Sequence, residues 1–285
     1  MIYLESFYLP SFDDEARYDF PTKYPFGLFS HKQLFDIHFS NITIFYGSNG
    51  SGKSTLLNVM NRKLGFQRTS SFYADEAFDV YTSKCKMKTA YDDMGKSIFI
   101  PPNSKIIASE DIIHFILDIR NQNIKTEAKQ KDLKQEYLEA KYRRFNNPSL
   151  HDYDKLSQTV EARRTTQTQY IHNRTALYKQ FSNGESVLQY FDRELENDGL
   201  YLLDEPENCL SPKFQLELQK LIIECSHYCD CQFIIATHSP FLLAIPQAKI
   251  YNLDLDTVEV CDWTKLGNVK LYQEFFKLHQ KDFEE

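Results

Sequence analysis

Three short runs are apolar almost without interruption: Ile42-Thr43-Ile44-Phe45-Tyr46, Leu200-Tyr201-Leu202-Leu203 and Phe233-Ile234-Ile235-Ala236-Thr237. Runs of this length, rich in β-branched and aromatic residues, predict strands buried in the middle of a sheet. Around them the pattern changes period. Ile2 to Tyr8 and Leu34 to Phe39 are short β-rich runs separated by Pro10, Pro21, Pro25 and Gly27, which predicts an antiparallel flank leading into the Ile42 strand. Phe78-Asp79-Val80-Tyr81, Ser97-Ile98-Phe99-Ile100 and Lys105-Ile106-Ile107-Ala108 read as further strand pieces. Two more are expected near the end, at Lys249 to Leu253 and Val258 to Trp263.

Helical spacing is clearest at Thr55 to Met60, at Leu216 to Cys225, and at Asp111 to Arg120, where Ile112, Ile113, Phe115, Ile116 and Ile119 recur on one face. A long polar region follows, read as two helices separated by Asn146-Asn147-Pro148-Ser149. Ile124, Ala128, Leu133, Tyr137, Leu138 and Tyr142 give the first a broken stripe; Leu156, Val160, Tyr170, Ile171 and Leu177 give the second a poorer one. At ~1.5 Å per residue each arm is about 35 Å long, a short hairpin. The expected organisation is α/β: a head formed by residues 1–120 and 181–285, holding a mixed sheet with an antiparallel N-terminal flank, and an inserted helical hairpin over residues 121–180.

Charge separates these parts further. The hairpin carries twelve Lys and Arg against seven Asp and Glu, a net +5, in a chain whose formal charge is −7. That surface is read either as a solvated helical face or as a contact for nucleic acid. No apolar run approaches the ~18 to 20 residues that cross a bilayer, and Met1 to Glu5 does not resemble a secretory leader, so a cytoplasmic protein without membrane contact is expected. The six cysteines are read as reduced thiols. Cys225, His227, Cys229 and Cys231 lie close together, but they straddle a helix end and a strand start, so their side chains should diverge and zinc is not expected.

The chemistry is concentrated where the buried runs end. Gly47-Ser48-Asn49-Gly50-Ser51-Gly52-Lys53-Ser54-Thr55 satisfies the phosphate-binding pattern G-x-x-x-x-G-K-[ST] between a predicted strand and a predicted helix. Glycines let backbone N–H groups approach phosphate oxygens, and the helix N-terminus adds partial positive charge. Gly47, Asn49, Gly50, Ser51, Gly52, Lys53, Ser54 and Thr55 are therefore expected to bind nucleotide, with Lys53 on the β and γ phosphates and Ser54 on Mg²⁺. Asp204 and Glu205 end the second buried run: Asp204 suits the metal and Glu205 suits activation of water. His238 follows the third run, within reach of a γ-phosphate.

In this order the pieces resemble the ATP-binding-cassette ATPases, in the soluble branch related to chromosome-maintenance and RecF-type proteins. Gly47 to Thr55 matches the Walker A loop, Phe181-Ser182-Asn183-Gly184-Glu185-Ser186 the signature loop, Leu200 to Glu205 Walker B with its catalytic glutamate, Asn208 to Pro212 the D-loop, and Thr237-His238-Ser239 the switch histidine. The resemblance implies ATP and Mg²⁺ as cofactors, Glu205 and His238 as catalytic residues, and a homodimer in which Ser182, Asn183 and Gly184 close on the nucleotide of the partner protomer. Hydrolysis would then gate a bound DNA or effector protein. Small stand-alone predicted ATPases of this branch occur in bacterial anti-phage defence, which makes a toxin or nuclease effector an expected partner. An ATP-dependent scaffold that sequesters such an effector with little turnover is the alternative, and a transporter nucleotide-binding subunit fits the polar insertion less well. Two departures stand out. Asn183 replaces the first signature glycine, which a left-handed backbone would allow. Ser109-Glu110-Asp111 stands where a Q-loop glutamine is expected, so its contact to metal and water falls to Ser109 or Glu110 or is missing; Glu110 is taken as the candidate metal ligand.

Overall fold

The computed structural model describes residues 1–17, 23–66, 68, 74–143, 153–172 and 183–283. A three-stranded antiparallel sheet forms from β1 (Leu4–Tyr8), β2 (Asp36–His38) and, later in the chain, β4 (Lys86–Thr89), in the order β2-β1-β4. The main sheet has six strands. Its members are β3 (Ile42–Tyr46), β5 (Lys105–Ala108), β6 (Leu200–Asp204), β7 (Gln232–Thr237), β8 (Lys249–Asn252) and β9 (Glu259–Val260), ordered β5-β6-β7-β3-β8-β9. All neighbours are parallel except β8 and β9. Every residue of β3, β6 and β7 is buried, which is why these strands read as continuous apolar runs.

One buried polar side chain joins the two sheets. Gln232, at the start of β7, accepts from the backbone N–H groups of Tyr3 and Leu4 at 2.8 and 2.9 Å and donates to the carbonyls of Leu4 and Ser40 at 2.9 and 3.2 Å. It satisfies four backbone groups with one amide. The antiparallel sheet is thereby registered on the parallel one beside a shared core that includes Leu4, Phe7, Phe29, Phe45, Leu57 and Ile234.

Helices follow the strands. A four-residue helix α1 (Phe12–Glu15) opens with a capping box at Ser11. α2 (Lys53–Leu64) leaves the phosphate loop and stops at Gly65, whose left-handed backbone returns an N–H to Asn61. The expected strand at Phe78 to Tyr81 is instead helix α3 (Glu76–Lys84). Asp75 caps it by accepting from the Phe78 N–H at 2.9 Å, and Ala77, Phe78, Tyr81 and Thr82 recur at helical spacing on the buried face. Ser97 to Ile100 is not a strand either: Ser97 makes an isolated bridge to Tyr91, and the Ile98 N–H donates to the Ala90 carbonyl at 2.7 Å. Further on come α4 (Ser109–Tyr142), α5 (Tyr153–Arg164), α6 (Gln167–His172), α7 (Asn183–Glu194), α8 (Pro212–Tyr228), α9 (Pro240–Leu243) and α10 (Gly267–Leu278). No helix among the described residues is long and apolar enough to cross a membrane. Cys225 and Cys231 are buried, and burial raises their thiols to about 12 and about 11, so both stay protonated.

The chain divides into two compact units, Met1–Ile113 with Asn183–Glu285, and His114–Ser182. The smaller unit has its own core of Leu133, Tyr137, Ala140, Ala162 and Tyr170. Tyrosines take the part that a regular heptad would play. Tyr137 and Tyr170 meet edge to face at 5.3 Å, and their hydroxyls donate to the Thr165 carbonyl and to Glu136. The expected second arm is broken into α5 and α6, where Thr166 and Gln169 form a capping box that starts a new helix. Arg163, expected as part of a basic surface, turns back to the carbonyls of Lys141 and Arg143 at the end of α4. The proposed break at Asn146 to Ser149 lies outside the described residues, as do Arg144 and Leu177.

Replacing Gln232 with Leu is expected to destabilise the head by on the order of 3 kcal/mol, because four buried backbone groups lose their partner. Chemical unfolding of the variant measures the loss directly.

Candidate functional site

The C-terminal ends of β3, β7 and β6 stand side by side, and the predicted chemistry lies there. After β3 the loop turns through Gly50 and Gly52, whose φ values of +82° and +102° are strained for any residue with a Cβ. At Gly47 the constraint is space, since a Cβ would lie 2.4 Å from Ser51 Oγ. Lys53 is almost wholly buried, and its ammonium lies inside the loop, donating to the carbonyls of Gly47 at 2.7 Å and Ser48 at 3.1 Å. Ser51 Oγ is buried with no hydrogen-bond partner among the described residues. Asn49 and Ser54 are exposed on the loop rim. Thr55 accepts from the hydroxyl of Tyr24 at 2.6 Å, a contact the sequence did not signal.

Asp204 ends β6 facing α2, where Ser54 Oγ donates to its Oδ1 at 3.0 Å. Burial raises the Asp204 carboxyl from the ordinary 3.8 to about 6; Glu205 and Glu110 push the same way, while Ser54 and Arg68 oppose. Glu205 follows with φ +47°, a left-handed backbone uncommon for a residue with a long side chain. Its N–H is fixed to the Ala236 carbonyl at 2.8 Å. Its carboxylate meets three groups: Lys53 Nζ at 3.7 Å, His238 Nδ1 at 3.8 Å and the Asn208 amide at 3.2 Å.

His238 is about half exposed, and Nδ1 also lies 3.5 Å from Glu207 Oε1. Glu207 is buried, and that one oxygen accepts from the Thr237 hydroxyl at 2.5 Å and from the N–H groups of His238 and Ser239 at 3.0 and 3.2 Å. The structure thus brings Lys53, Ser54, Asp204, Glu205 and His238 together. Glu110, in the first turn of α4, is held by Arg68 at 3.2 Å, and Arg68 also donates to Asn58 of α2. Ser182 lies outside the described residues. Asn183 is the first residue of α7, so its backbone is helical and not left-handed as the sequence suggested. Gly184 answers to packing within its own chain, since a Cβ there would lie 2.2 Å from the Phe214 ring of α8.

Sequence reading missed Tyr24, Arg68, Glu207 and Asp254. Asp254 accepts from the Ser48 N–H and hydroxyl at 2.8 Å each and so braces the loop from the end of β8. Beside it opens a cleft of about 600 Å³ lined by Tyr24, Gly27, His31, Lys32, Asp254 and Asp256, a size that accepts a small ligand.

Fold and site together define a P-loop nucleotide-binding head of the ATP-binding-cassette type: a mostly parallel sheet, an antiparallel flank, a phosphate loop on the central strand, and paired acids and a histidine on the next two strands. Residues 65–244 match the family model described as "AAA domain, putative AbiEii toxin, Type IV TA system", and the chain belongs to that family. The match begins just past the phosphate loop. No curated protein matches the chain. Among solved structures, it is similar to an Smc head domain with an extended coiled coil bound to the C-terminal domain of ScpA, derived from Pyrococcus furiosus, at 15% identity over 98% of this chain and 100% of that chain, TM-score 0.44. It is also similar to the SMC head domain from Thermotoga maritima, at 14% identity over 92% and 99%, TM-score 0.42. A third is a dimeric, post-hydrolysis ATP-binding cassette bound to ADP and Pi, at 15% identity over 79% and 88%, TM-score 0.37.

Asp204 gives a prediction about the nucleotide-free protein. A carboxyl raised to about 6 on folding binds its proton more tightly in the folded chain, so its contribution is most favourable below the ordinary 3.8 and least favourable above about 6. Asp204→Asn should therefore stabilise the nucleotide-free head near pH 8 by on the order of 1 to 3 kcal/mol. The gain should shrink as pH falls from about 6 toward 4, which unfolding curves at several pH values will read.

Proposed function

We propose that the chain binds Mg·ATP at the phosphate loop and hydrolyses it, and that ATP draws two heads together to gate a bound effector protein. The observation that carries the reading is the convergence on Glu205: a buried lysine, a histidine and an asparagine amide meet one carboxylate that a left-handed backbone turns toward the loop. Lys53 exchanges its loop carbonyls for the β and γ phosphates, and the N–H groups of residues 50–55 take the remaining charge. The 600 Å³ cleft beside Tyr24 suits the nucleoside. Ser54 and Asp204 are the residues to hold Mg²⁺, with Glu110 close by; a buried carboxylate pushed up to about 6 is a group that gains from a cation. Bound Mg²⁺ supplies charge neutralisation at the phosphate oxygens. Glu205 takes the proton of the attacking water, and His238, with Nδ1 turned to the acids, offers its other nitrogen to the γ-phosphate.

Asn183 and Gly184 begin α7, and in this reading they and Ser182 meet the nucleotide of the partner protomer, so that closure requires ATP. The family description, with its toxin and toxin–antitoxin terms, favours a protein effector and a role in bacterial defence over DNA. Two guanidinium donors of Arg163 are taken by the carbonyls of Lys141 and Arg143, which leaves fewer donors on the insertion for a phosphate backbone.

Lys53→Ala should weaken ATP binding at least roughly tenfold in calorimetry, since the phosphates lose their direct charge partner; unchanged affinity would mean that nucleotide binds elsewhere.

Glu205→Gln should keep ATP binding, abolish turnover and trap the closed pair, read as ATP-dependent mass and as a shortened distance between labelled heads. Adding Ser182→Arg should block closure while each head still binds ATP. Association that ignores ATP, or that survives Ser182→Arg, would refute the sandwich. Salt-sensitive binding of duplex DNA, lost on reversing Arg143 and Arg164 to Glu, would redirect the partner reading from protein to nucleic acid.

A further inference from the structure

We infer that Asn268 is a positioning residue for His238, holding the switch histidine from α10 and tying it to the strand that carries the phosphate loop. The inference rests on the reading of His238 as the group that meets the γ-phosphate. His238 stands on the short link between β7 and α9, where no strand partner fixes it. Both of its backbone groups are instead held by side chains from elsewhere. Its N–H donates to Glu207 Oε1 at 3.0 Å, and its carbonyl accepts from Asn268 Nδ2 at 2.6 Å. The amide orientation follows from chemistry, because a carbonyl only accepts and so must face the NH₂ end.

Asn268 has a second anchor. Its own N–H donates to the hydroxyl of Tyr46 at 3.1 Å. Tyr46 is the last residue of β3, directly before Gly47, and it pairs with Thr237 in the parallel register. One residue therefore touches the two strand ends that launch the phosphate loop and the histidine. α10 is seated on the head by Leu266, wholly buried just before it, and by Val269, so Asn268 sits in the best-anchored turn of that helix.

The residue type matters. A neutral amide donates to the carbonyl without adding charge, whereas aspartate would set a carboxylate against the carbonyl oxygen. Without the amide, the turn is held only on its N–H side, and the imidazole loses its fixed distance from the phosphate loop. ATP itself would still be bound by Lys53 and the loop, so the loss should appear in turnover and not in affinity.

The test uses the full-length chain carrying Asn268→Asp or Asn268→Ala, the latter removing the donor without adding charge. Steady-state ATPase should show kcat reduced about fivefold or more, with ATP affinity by calorimetry within about twofold of wild type. Hydrogen exchange at the His238 and Ser239 amides should quicken in both variants, and Asn268→Gln, which keeps the donor, should recover part of both losses. In a His238→Ala background, Asn268→Asp should change kcat by less than about twofold. Wild-type exchange and turnover in both variants, or the same full loss without His238, would overturn the inference. If His238→Ala alone is fully active, the phosphate role given to His238 falls, and the exchange rates still decide whether Asn268 holds the turn.

Discussion

Tyr46 pairs with Thr237, and Asp204 with Ala236, so β3, β7 and β6 end almost level. The chemistry of the head depends on that register. Gly47, Glu205 and His238 are each the first residue past the end of one of these strands, and they lie 33 to 191 residues apart in the chain. The strands are buried throughout and consist mostly of apolar residues, yet they decide which polar groups meet. A slip of one residue would turn the side chains of a strand to the opposite face and carry its acid or histidine away from the loop. Complete burial on both faces makes such a slip costly, which is how a featureless apolar run acquires a precise functional consequence.

Groups past the strand ends have no ladder to hold them, and each is braced by a side chain, three residues away for Asn208 and 30 or more for the others. Asp254 braces the phosphate loop, Asn208 meets the Glu205 carboxylate, Glu207 gathers Thr237, His238 and Ser239 on one oxygen, and Arg68 holds Glu110. Several of these arrangements are locally unfavourable. Asp204 is buried deeply enough to raise its carboxyl to about 6, Glu205 has φ +47°, and Glu207 keeps a second oxygen buried with no partner among the described residues. Strain and desolvation at strand ends are set on strands that are buried along their whole length and tied to the second sheet through the Gln232 amide.

This division explains what could be read from the sequence. The buried strands, the phosphate loop and the acid pair were legible because each is a local run with a fixed residue order. The antiparallel flank was legible from its turns. Phe78 to Tyr81 misled because four residues of mixed apolar character fit either period, and the deciding signal was the cap three residues earlier at Asp75. The second arm of the insertion misled for a similar reason, since Thr166 begins a new helix by a capping box that is visible in the sequence only once the break is suspected. Tyr24, Arg68, Glu207 and Asp254 carried no readable signal. Tyr24, Arg68 and Asp254 reach the site across distant sequence, and Glu207, two residues after Glu205, meets Thr237 and His238 only across the assembled sheet.

Glu110 shows how these two levels meet. It follows β5, the edge strand beside β6, by two residues, and it lies in the first turn of α4, whose helix continues without interruption to Tyr142. Through Arg68 it is tied to Asn58 on the helix that leaves the phosphate loop, and its charge is felt at Asp204. Glu110 therefore shares one guanidinium with the helix that leaves the phosphate loop. In this head a glutamate paired to an arginine occupies the position where the resemblance led one to expect a glutamine, so an ion pair stands where a neutral amide was expected.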